Sequence, residues 1–130
     1  LMSASLDSAL TYAKNRFVFG QPVASYQLTL IKFAKMAMYI AASRQFTYKV
    51  GRLMDEGGGQ MEASLVKLLA CKLAEWVSRE AMQIHGGMGY AEETTVSRLW
   101  IDSRVLSIFE GTEETLALKV VGKALLDRAA

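Results

Sequence analysis

The wide spacing of helix-breaking residues is the feature that most constrains how this sequence folds. Its one proline is Pro22, and its glycines concentrate at positions 57–59 and 86–89. Between these breaks, apolar residues recur every three or four positions, the period of a helix that buries one face. No stretch alternates convincingly between apolar and polar residues, as a half-buried strand would. The pattern predicts an all-α fold, an antiparallel up-and-down four-helix bundle with an extra short helix.

Breaks and capping residues set the limits of the first two helices. The first is predicted to end near Asn15, and the second to begin after a capping Ser25 and to continue to Leu53. The predicted core face of the second helix consists of Leu30, Ala34, Ala37 and Ala41.

The remaining helices follow the first glycine group. The third has the most sustained apolar stripe, at Ala70, Leu73, Ala74, Val77, Ala81 and Ile84. A shorter helix is expected to begin at a capping Thr94 or Thr95. The last helix, after Gly111, presents on one side Leu118, Val121 and Leu125.

The second helix is also apolar away from its assigned core face. Ile31, Phe33 and Met38 lie off that face, and apolar residues make up 52% of the chain. A bundle that is apolar on two sides usually packs against another surface. We therefore expect an oligomer or a contact with another domain.

Charge and cysteine content argue against several classes of protein. The net charge is +2 and the basic residues are scattered, which argues against nucleic-acid binding. Lys32 and Lys35 interrupt the most apolar stretch, so no membrane span is expected. Cys71 is the single cysteine, which excludes an internal disulfide and a cysteine-built metal site. Its apolar neighbours predict that it is buried in the third helix.

Two features near the helix ends each allow two interpretations. The glycines of "QIHGGMGY" either end a helix with positive φ angles or let the backbone approach a ligand closely. Arg16 either is solvated beside a turn or binds a phosphate with its planar set of donors, with Gln27 beyond the same turn. His85, the one histidine, is predicted to lie in a loop, and without a Glu-x-x-His motif no metal site is expected.

The stretch "VLSIFEGTEET" places Glu110 at the end of an apolar run and directly before Gly111. A carboxylate in apolar surroundings is a better base than one in water, because burial disfavours its charged form. The glycine would leave room for a substrate near the backbone. Alternatively, Glu110 complements the dipole of the last helix, which Thr112 caps. The residues alone favour neither interpretation.

Three segments occur together in this chain: "YAKNRFVFGQPVASYQ", "QIHGGMGYAEE" and "RLWIDSRVLSIFEGTEE". In this order and at these separations they closely resemble the C-terminal helical domain of the acyl-CoA dehydrogenase family. The resemblance extends from Leu6 to about Leu126. The chain departs from the family pattern at Ile101, where relatives often have arginine, and at Leu116 and Ala117, which replace a polar pair.

The resemblance implies a flavin-dependent oxidation. Members of the family oxidise an acyl-CoA thioester to the trans-2-enoyl-CoA and reduce FAD. By resemblance, Glu110 is the catalytic base that removes the proton at Cα, and its backbone N–H helps to hold the thioester carbonyl. Gly111 leaves room for the thioester, and Phe109 packs near the flavin and the substrate.

The family pattern also implies contacts to FAD. At the FAD of a neighbouring subunit, the implied residues are Arg16 at the pyrophosphate, Phe19 beside it, Gln27 near the adenosine, and Gln83, Gly86 and Gly87 in the glycine loop. At the FAD of the same subunit they are Thr112 and Glu114.

The resemblance further implies acyl-CoA as substrate, an electron-transfer flavoprotein as electron acceptor, and assembly as a dimer or tetramer. It places the protein in the bacterial cytoplasm or the mitochondrial matrix. Family enzymes also have an N-terminal helical domain and a central β domain, so residues 1–130 are expected to be the C-terminal domain of a longer enzyme and inactive alone. Two alternatives stay open: a non-catalytic oligomerisation bundle of the same ancestry, and an acyl-CoA oxidase-type relative.

Overall fold

The computed structural model describes residues 1–129, and helices make up nearly all of it. In chain order the elements are α1 (Met2–Asn15), β1 (Phe17–Val18), β2 (Gln21–Pro22), a 3₁₀ turn (Val23–Ser25), α2 (Gln27–Asp55), α3 (Gln60–His85), α4 (Gly87–Tyr90), α5 (Thr95–Val105), α6 (Glu113–Thr115), a π-helix (Leu116–Gly122) and α7 (Lys123–Ala129). The predicted all-α bundle is confirmed. No helix in this described part of the chain is long and apolar enough to cross a membrane.

Helix α3 lies at the centre of the bundle, and α1, α2 and α5 all pack against it. The hydrophobic core consists of Ala9, Ala13, Met36, Val77, Ala81, Ile84 and Val96. Four of the six stripe positions predicted for α3 are buried, namely Ala74, Val77, Ala81 and Ile84. Cys71 is also buried, as predicted, and its Sγ donates to the carbonyl oxygen of Leu106. Many small side chains in this core let the helices approach closely.

The predicted core face of α2 is wrong. Leu30 and the three alanines assigned with it, at positions 34, 37 and 41, are all exposed. The buried positions are instead Thr29, Met36, Ser43 and Val50. These recur every seven residues, so they form one seam along a helix that packs lengthwise against α3. Because α2 is apolar on two sides, its periodicity alone could not identify the side that meets α3.

The link between α1 and α2 contains a short antiparallel ribbon that the sequence pattern did not predict. Two residues, Phe19 and Gly20, connect its strands, and both have positive φ angles of 50° and 82°. Such a turn matches the twist of a two-stranded ribbon. The predicted cap Ser25 lies in the 3₁₀ turn, and Tyr26 occupies the N-cap of α2. The hydroxyl of Tyr26 donates to the carbonyl oxygen of Val18 at 2.5 Å and so fixes the ribbon to the helix start.

The last helical run begins where predicted, but of its predicted apolar side only Val121 is part-buried. Thr112 caps it, and its side chain accepts a hydrogen bond from the backbone N–H of Thr115 at 3.3 Å. Leu118 and Leu125, which were predicted to share its packed side, are 74% and 54% exposed. The wider π-helical turns between them shift the register of the side chains relative to a regular α-helix.

Candidate active site

The turn between α5 and α6, residues 109–112, contains four of the candidate site residues. Glu110 has a φ angle of 55° and Gly111 one of 91°. Residues other than glycine rarely adopt this left-handed region, because the Cβ atom approaches the carbonyl oxygen. The conformation of Glu110 is therefore imposed by the contacts that hold the 109–112 turn, a situation common at functional sites.

Two lysines of α3 hold this region. Lys67 Nζ donates to the carbonyl oxygen of Gly111 at 2.6 Å. Lys72 Nζ lies 2.5 Å from Oε2 of Glu113, the first residue of α6. Burial opposes the ionisation of Glu113, but its hydrogen bond and ion pair with Lys72 outweigh this effect and lower the pKa of Glu113. The same contact raises the pKa of Lys72.

The local fold itself favours glycine at position 111. Besides its positive φ angle, a Cβ atom there would lie 3.1 Å from Cδ2 of Leu116. Leu116 is one of the residues that depart from the family pattern, and it packs against the 109–112 turn. Room for a substrate is therefore not needed to explain the glycine.

The side chain of Glu110 is exposed in the described part of the chain, so the apolar surroundings expected from its sequence neighbours are not provided by residues 1–129. Its apolar neighbours are themselves uncovered: Val105 is 44%, Ile108 52% and Phe109 46% exposed. We call these three residues the Glu110 patch. They are apolar surface close to Glu110 in the sequence that residues 1–129 leave uncovered.

A second group of candidates lines an open groove of about 460 Å³ at the C-terminal end of α3. The groove brings together Arg16, which follows the last residue of α1, and the glycine pair Gly86 and Gly87. A Cβ atom on either glycine would meet nothing within 4 Å, so the backbone here borders open space. We call this the Arg16 groove. Its guanidinium group and accessible backbone suit an anionic ligand such as a phosphate.

His85 is a buried residue of this groove, and its predicted loop position is wrong. It is the last residue of α3, is 7% exposed and stacks on Tyr12 with ring centroids 4.4 Å apart. Its Nδ1 lies 2.8 Å from the carbonyl oxygen of Ala81, which can only accept, so Nδ1 carries a proton. A neutral ring then accepts from the hydroxyl of Ser8 at Nε2, over 3.3 Å. His85 therefore joins α3 to α1 beneath the Arg16 groove.

Three other predicted cofactor residues do not line the groove. Phe19 is 95% exposed at the tip of the ribbon. Gln27 is the first residue of α2, and Gln83 lies in the last turn of α3; both are exposed. Glu114, in α6, is exposed near the other site.

The two groups of candidates lie at opposite ends of α3. The 109–112 turn contacts Lys67 and the Arg16 groove includes His85, and at 1.5 Å per residue these positions are about 27 Å apart along the helix. One chain therefore cannot place both groups on the same phosphate.

Several residues of these sites were missed in the sequence. Tyr12 lies in the last turn of α1, four residues before Arg16, a spacing of about one helical turn that could have indicated it. Lys67 offered no local signal, because its partner is 44 residues away. Glu80, a buried carboxylate of α3 outside both sites, pairs with Lys32 of α2 and with Arg79, and the sequence pattern did not predict it either.

The chain is similar in sequence to proteins of one family. The family model described as "Acyl-CoA dehydrogenase, C-terminal domain" matches residues 1–126. The mitochondrial short-chain specific acyl-CoA dehydrogenase of Bos taurus is 39% identical over 96% of this chain and 31% of its own length. The caffeyl-CoA reductase–Etf complex subunit CarC of Acetobacterium woodii is 36% identical over 93% of the chain and 32% of its own length.

One solved structure is similar to this chain in both sequence and fold. The structure of butyryl-CoA dehydrogenase from Megasphaera elsdenii superimposes with a TM-score of 0.91 and is 40% identical, with 96% of this chain and 33% of that one covered. The chain thus spans about a third of the length of the proteins it matches.

Proposed function

Because this chain belongs to the acyl-CoA dehydrogenase family, as its C-terminal domain, we propose that it forms that domain of an FAD-dependent acyl-CoA dehydrogenase. The reaction converts an acyl-CoA thioester to the trans-2-enoyl-CoA, with Glu110 as the base. The remaining two thirds of the enzyme would supply the N-terminal helical domain and the central β domain. Residues 1–130 alone are expected to be inactive.

The observation that supports this proposal best is an exposed carboxylate within an uncovered apolar patch. Glu110 is held in a left-handed conformation by contacts from α3, and the Glu110 patch lies beside it. A domain that covered this patch would remove water from the carboxylate, which strengthens it as a base. Its role is to remove the proton at Cα of the acyl chain, a step for which a positioned base contributes about 10²–10⁴-fold.

The backbone of the 109–112 turn provides a second function. Within residues 1–129, the N–H group of Glu110 donates to no protein acceptor. It is therefore available to the thioester carbonyl of a substrate, where it would stabilise the negative charge that develops as the proton leaves. Proton removal and charge stabilisation would then come from one residue, with its side chain and its backbone.

The Arg16 groove fits part of an FAD molecule. Arg16 is exposed beside a backbone that carries no side chains at Gly86 and Gly87, so a pyrophosphate could approach both. Phe19, Gln27 and Gln83 would contact the same molecule from outside the groove, and Thr112 and Glu114 would contact a second one. When bound, FAD supplies the acceptor for the hydride that leaves Cβ.

The separation of the two sites supports an oligomer. Since the Arg16 groove lies about 27 Å along α3 from the contact to the 109–112 turn, each FAD would meet the groove of one subunit and the turn of another. We propose a homodimer or homotetramer. The likeness to a subunit of a complex named for Etf supports an electron-transfer flavoprotein as acceptor. Relatives from mitochondria and bacteria support the mitochondrial matrix or the bacterial cytoplasm.

The test is Glu110→Gln in the complete FAD-loaded enzyme, with Glu93→Gln as a matched exposed control. Butyryl-CoA is mixed with each protein without air, and the loss of oxidised-flavin absorbance is followed. We expect Glu110→Gln to retain FAD and to reduce it at least about 10²-fold more slowly, because the base is lost while the binding surface stays. The control should match the parent.

Flavin reduction in Glu110→Gln at the parent rate would contradict the proposal. If the parent enzyme in air formed hydrogen peroxide as fast as butyryl-CoA reduces its flavin, the protein would be an oxidase instead of a dehydrogenase. A complete protein that binds neither FAD nor butyryl-CoA would indicate the non-catalytic bundle.

A further inference from the structure

The hydrogen bond from Lys67 is the contact that ties the 109–112 turn itself to the core of the bundle. Its ammonium group extends from α3 and donates to the carbonyl oxygen of Gly111 at 2.6 Å. Lys67 is half-buried, and 44 residues separate it from its partner. In the described part of the chain, no other side chain of α3 donates to the backbone of this turn.

Within residues 1–129, the other hydrogen bonds of the turn lie at its two ends, and none involves the backbone of Glu110. On its N-terminal side, the N–H of Phe109 donates to the carbonyl oxygen of Val105 at 3.2 Å. After it, the N–H of Glu113 donates to the carbonyl oxygen of Ser107 at 3.3 Å. The φ angle of 55° at Glu110 is unfavourable for a residue with a side chain, so it persists only where the surroundings enforce it.

We propose that Lys67 is a positioning residue, which orients Glu110 by holding the carbonyl oxygen of the next residue, Gly111. This inference rests on the function proposed above. The donor fixes the peptide group between Gly111 and Thr112, one residue beyond Glu110, and so restrains the direction of the carboxylate and of the Glu110 N–H group. A misplacement of about 1 Å is enough to cost a reaction about 10²-fold, so a tether at this point bears directly on rate.

Lys72 makes it possible to separate positioning from simple anchoring. It lies on the same helix, five residues from Lys67, and pairs with Glu113 immediately after the turn. Both lysines therefore attach the start of the last helical run to α3, but only Lys67 contacts the backbone of Gly111, the residue next to Glu110. Lys67→Met and Lys72→Met each keep the aliphatic stem and remove one ammonium group.

The experiment compares Lys67→Met, Lys67→Arg and Lys72→Met in the complete FAD-loaded enzyme. Flavin reduction by butyryl-CoA is measured in single turnovers over a range of concentrations, so that the limiting rate and the apparent Kd are obtained separately. We expect Lys67→Met to lower the limiting rate about 10- to 100-fold and to change Kd less than about threefold. Lys67→Arg, which retains a charged donor, should recover part of the rate, and Lys72→Met should lower the rate less than Lys67→Met does.

Hydrogen exchange of the segment 106–115 in the same proteins gives a readout that does not depend on catalysis. Faster exchange of this segment in Lys67→Met than in Lys72→Met is expected, since the tether of the turn is lost. Equal rates and equal exchange in the two methionine variants would overturn the role of Lys67. So would a loss of rate in Lys67→Met that is accompanied by loss of FAD.

Glu110→Gln separates this inference from the function on which it rests. If the flavin of Glu110→Gln is reduced at the parent rate, Glu110 is not the base, and there is no reason to position its side chain. If Glu110→Gln is inactive and the flavin of Lys67→Met is reduced at the parent rate, Glu110 remains the proposed base and only the positioning role of Lys67 is rejected.

Discussion

Two glycines that follow α3 have different physical reasons to lack a side chain. A Cβ atom on Gly89 would overlap the carbonyl oxygen of Met82 and lie 2.9 Å from Cβ of His85. This glycine allows α4 to fold back onto the end of α3. A Cβ atom on Gly87 would meet nothing within 4 Å, so the fold does not explain a glycine there. A ligand in the Arg16 groove would explain it.

Alanine at each position tests this difference. We expect Gly89→Ala to lower the free energy of unfolding of the chain by about 1–3 kcal/mol, because backbone must move to admit the methyl group. Gly87→Ala should change it by less than about 0.5 kcal/mol. In the complete enzyme, Gly87→Ala should weaken FAD binding about tenfold, which is about 1.4 kcal/mol. Urea unfolding and FAD titration measure the two effects; unchanged FAD affinity in Gly87→Ala would remove Gly87 from the site.

At the scale of elements, the start of the last helical run depends on charges brought from α3. Thr112 caps it, and Glu113 pairs with Lys72 at 2.5 Å. The carboxylate of Glu113 is 16% exposed but the Lys72 side chain is 65% exposed, so water screens much of their attraction. The pair is therefore expected to set the direction of this helix more than to stabilise the bundle.

The pH dependence of Glu113→Gln tests this pair. Because the pKa of Glu113 is lowered in the folded chain, its contribution is fully present above the unfolded pKa of about 4.3 and is lost as the pH falls through the folded value. The pKa of Lys72 is raised, so the contribution is also lost at high pH, above about 10.4. Between these limits Glu113→Gln should cost about 0.5–1 kcal/mol.

Urea unfolding at pH 7 and pH 3 measures the difference between parent and variant. It should be smaller at pH 3 than at pH 7, while the exposed control Glu93→Gln shows little difference at either pH. A cost for Glu113→Gln that is the same at both pH values would show that the ion pair is not its origin.

At the scale of the whole molecule, α2 leaves one apolar side uncovered. Ile31 and Met38, seven residues apart, are 51% and 55% exposed, and Leu28 and Leu30 nearby are 75% and 53% exposed. The Glu110 patch is a second uncovered area. Exposed apolar surface does not stabilise an isolated chain. Both areas are therefore expected to be buried by other domains or subunits.

Negative charges introduced on the uncovered apolar side of α2 should therefore weaken subunit assembly and leave folding unchanged. We expect the double variant Ile31→Glu and Met38→Glu to reduce the mass of the complete enzyme in solution by at least a factor of two, because burying two carboxylates is costly. Lys49→Glu, at an exposed polar position of α2, is the control and should keep the parent mass. Light scattering measures the mass and circular dichroism the helix content; an unchanged mass would place the subunit contact elsewhere.

The sequence by itself determined the features that depend on neighbouring residues. The limits of α1 and α3, the break at Gly86, the cap at Thr112 and the family all follow from local periodicity, capping and motifs. Backbone hydrogen bonds of a helix join residues only four apart, so a short window contains their signal. The order of the three motifs added the candidate residues, whose roles stay predictions.

Tertiary structure decided the rest. Which side of α2 is buried, the burial of His85 against Ser8, and the bond from Lys67 to Gly111 each depend on residues far apart in the chain, 77 and 44 positions in the last two cases. The same is true of the distance that separates the two candidate sites. No local pattern encodes such contacts, because they form only once several helices have packed around α3 and competed for its surface.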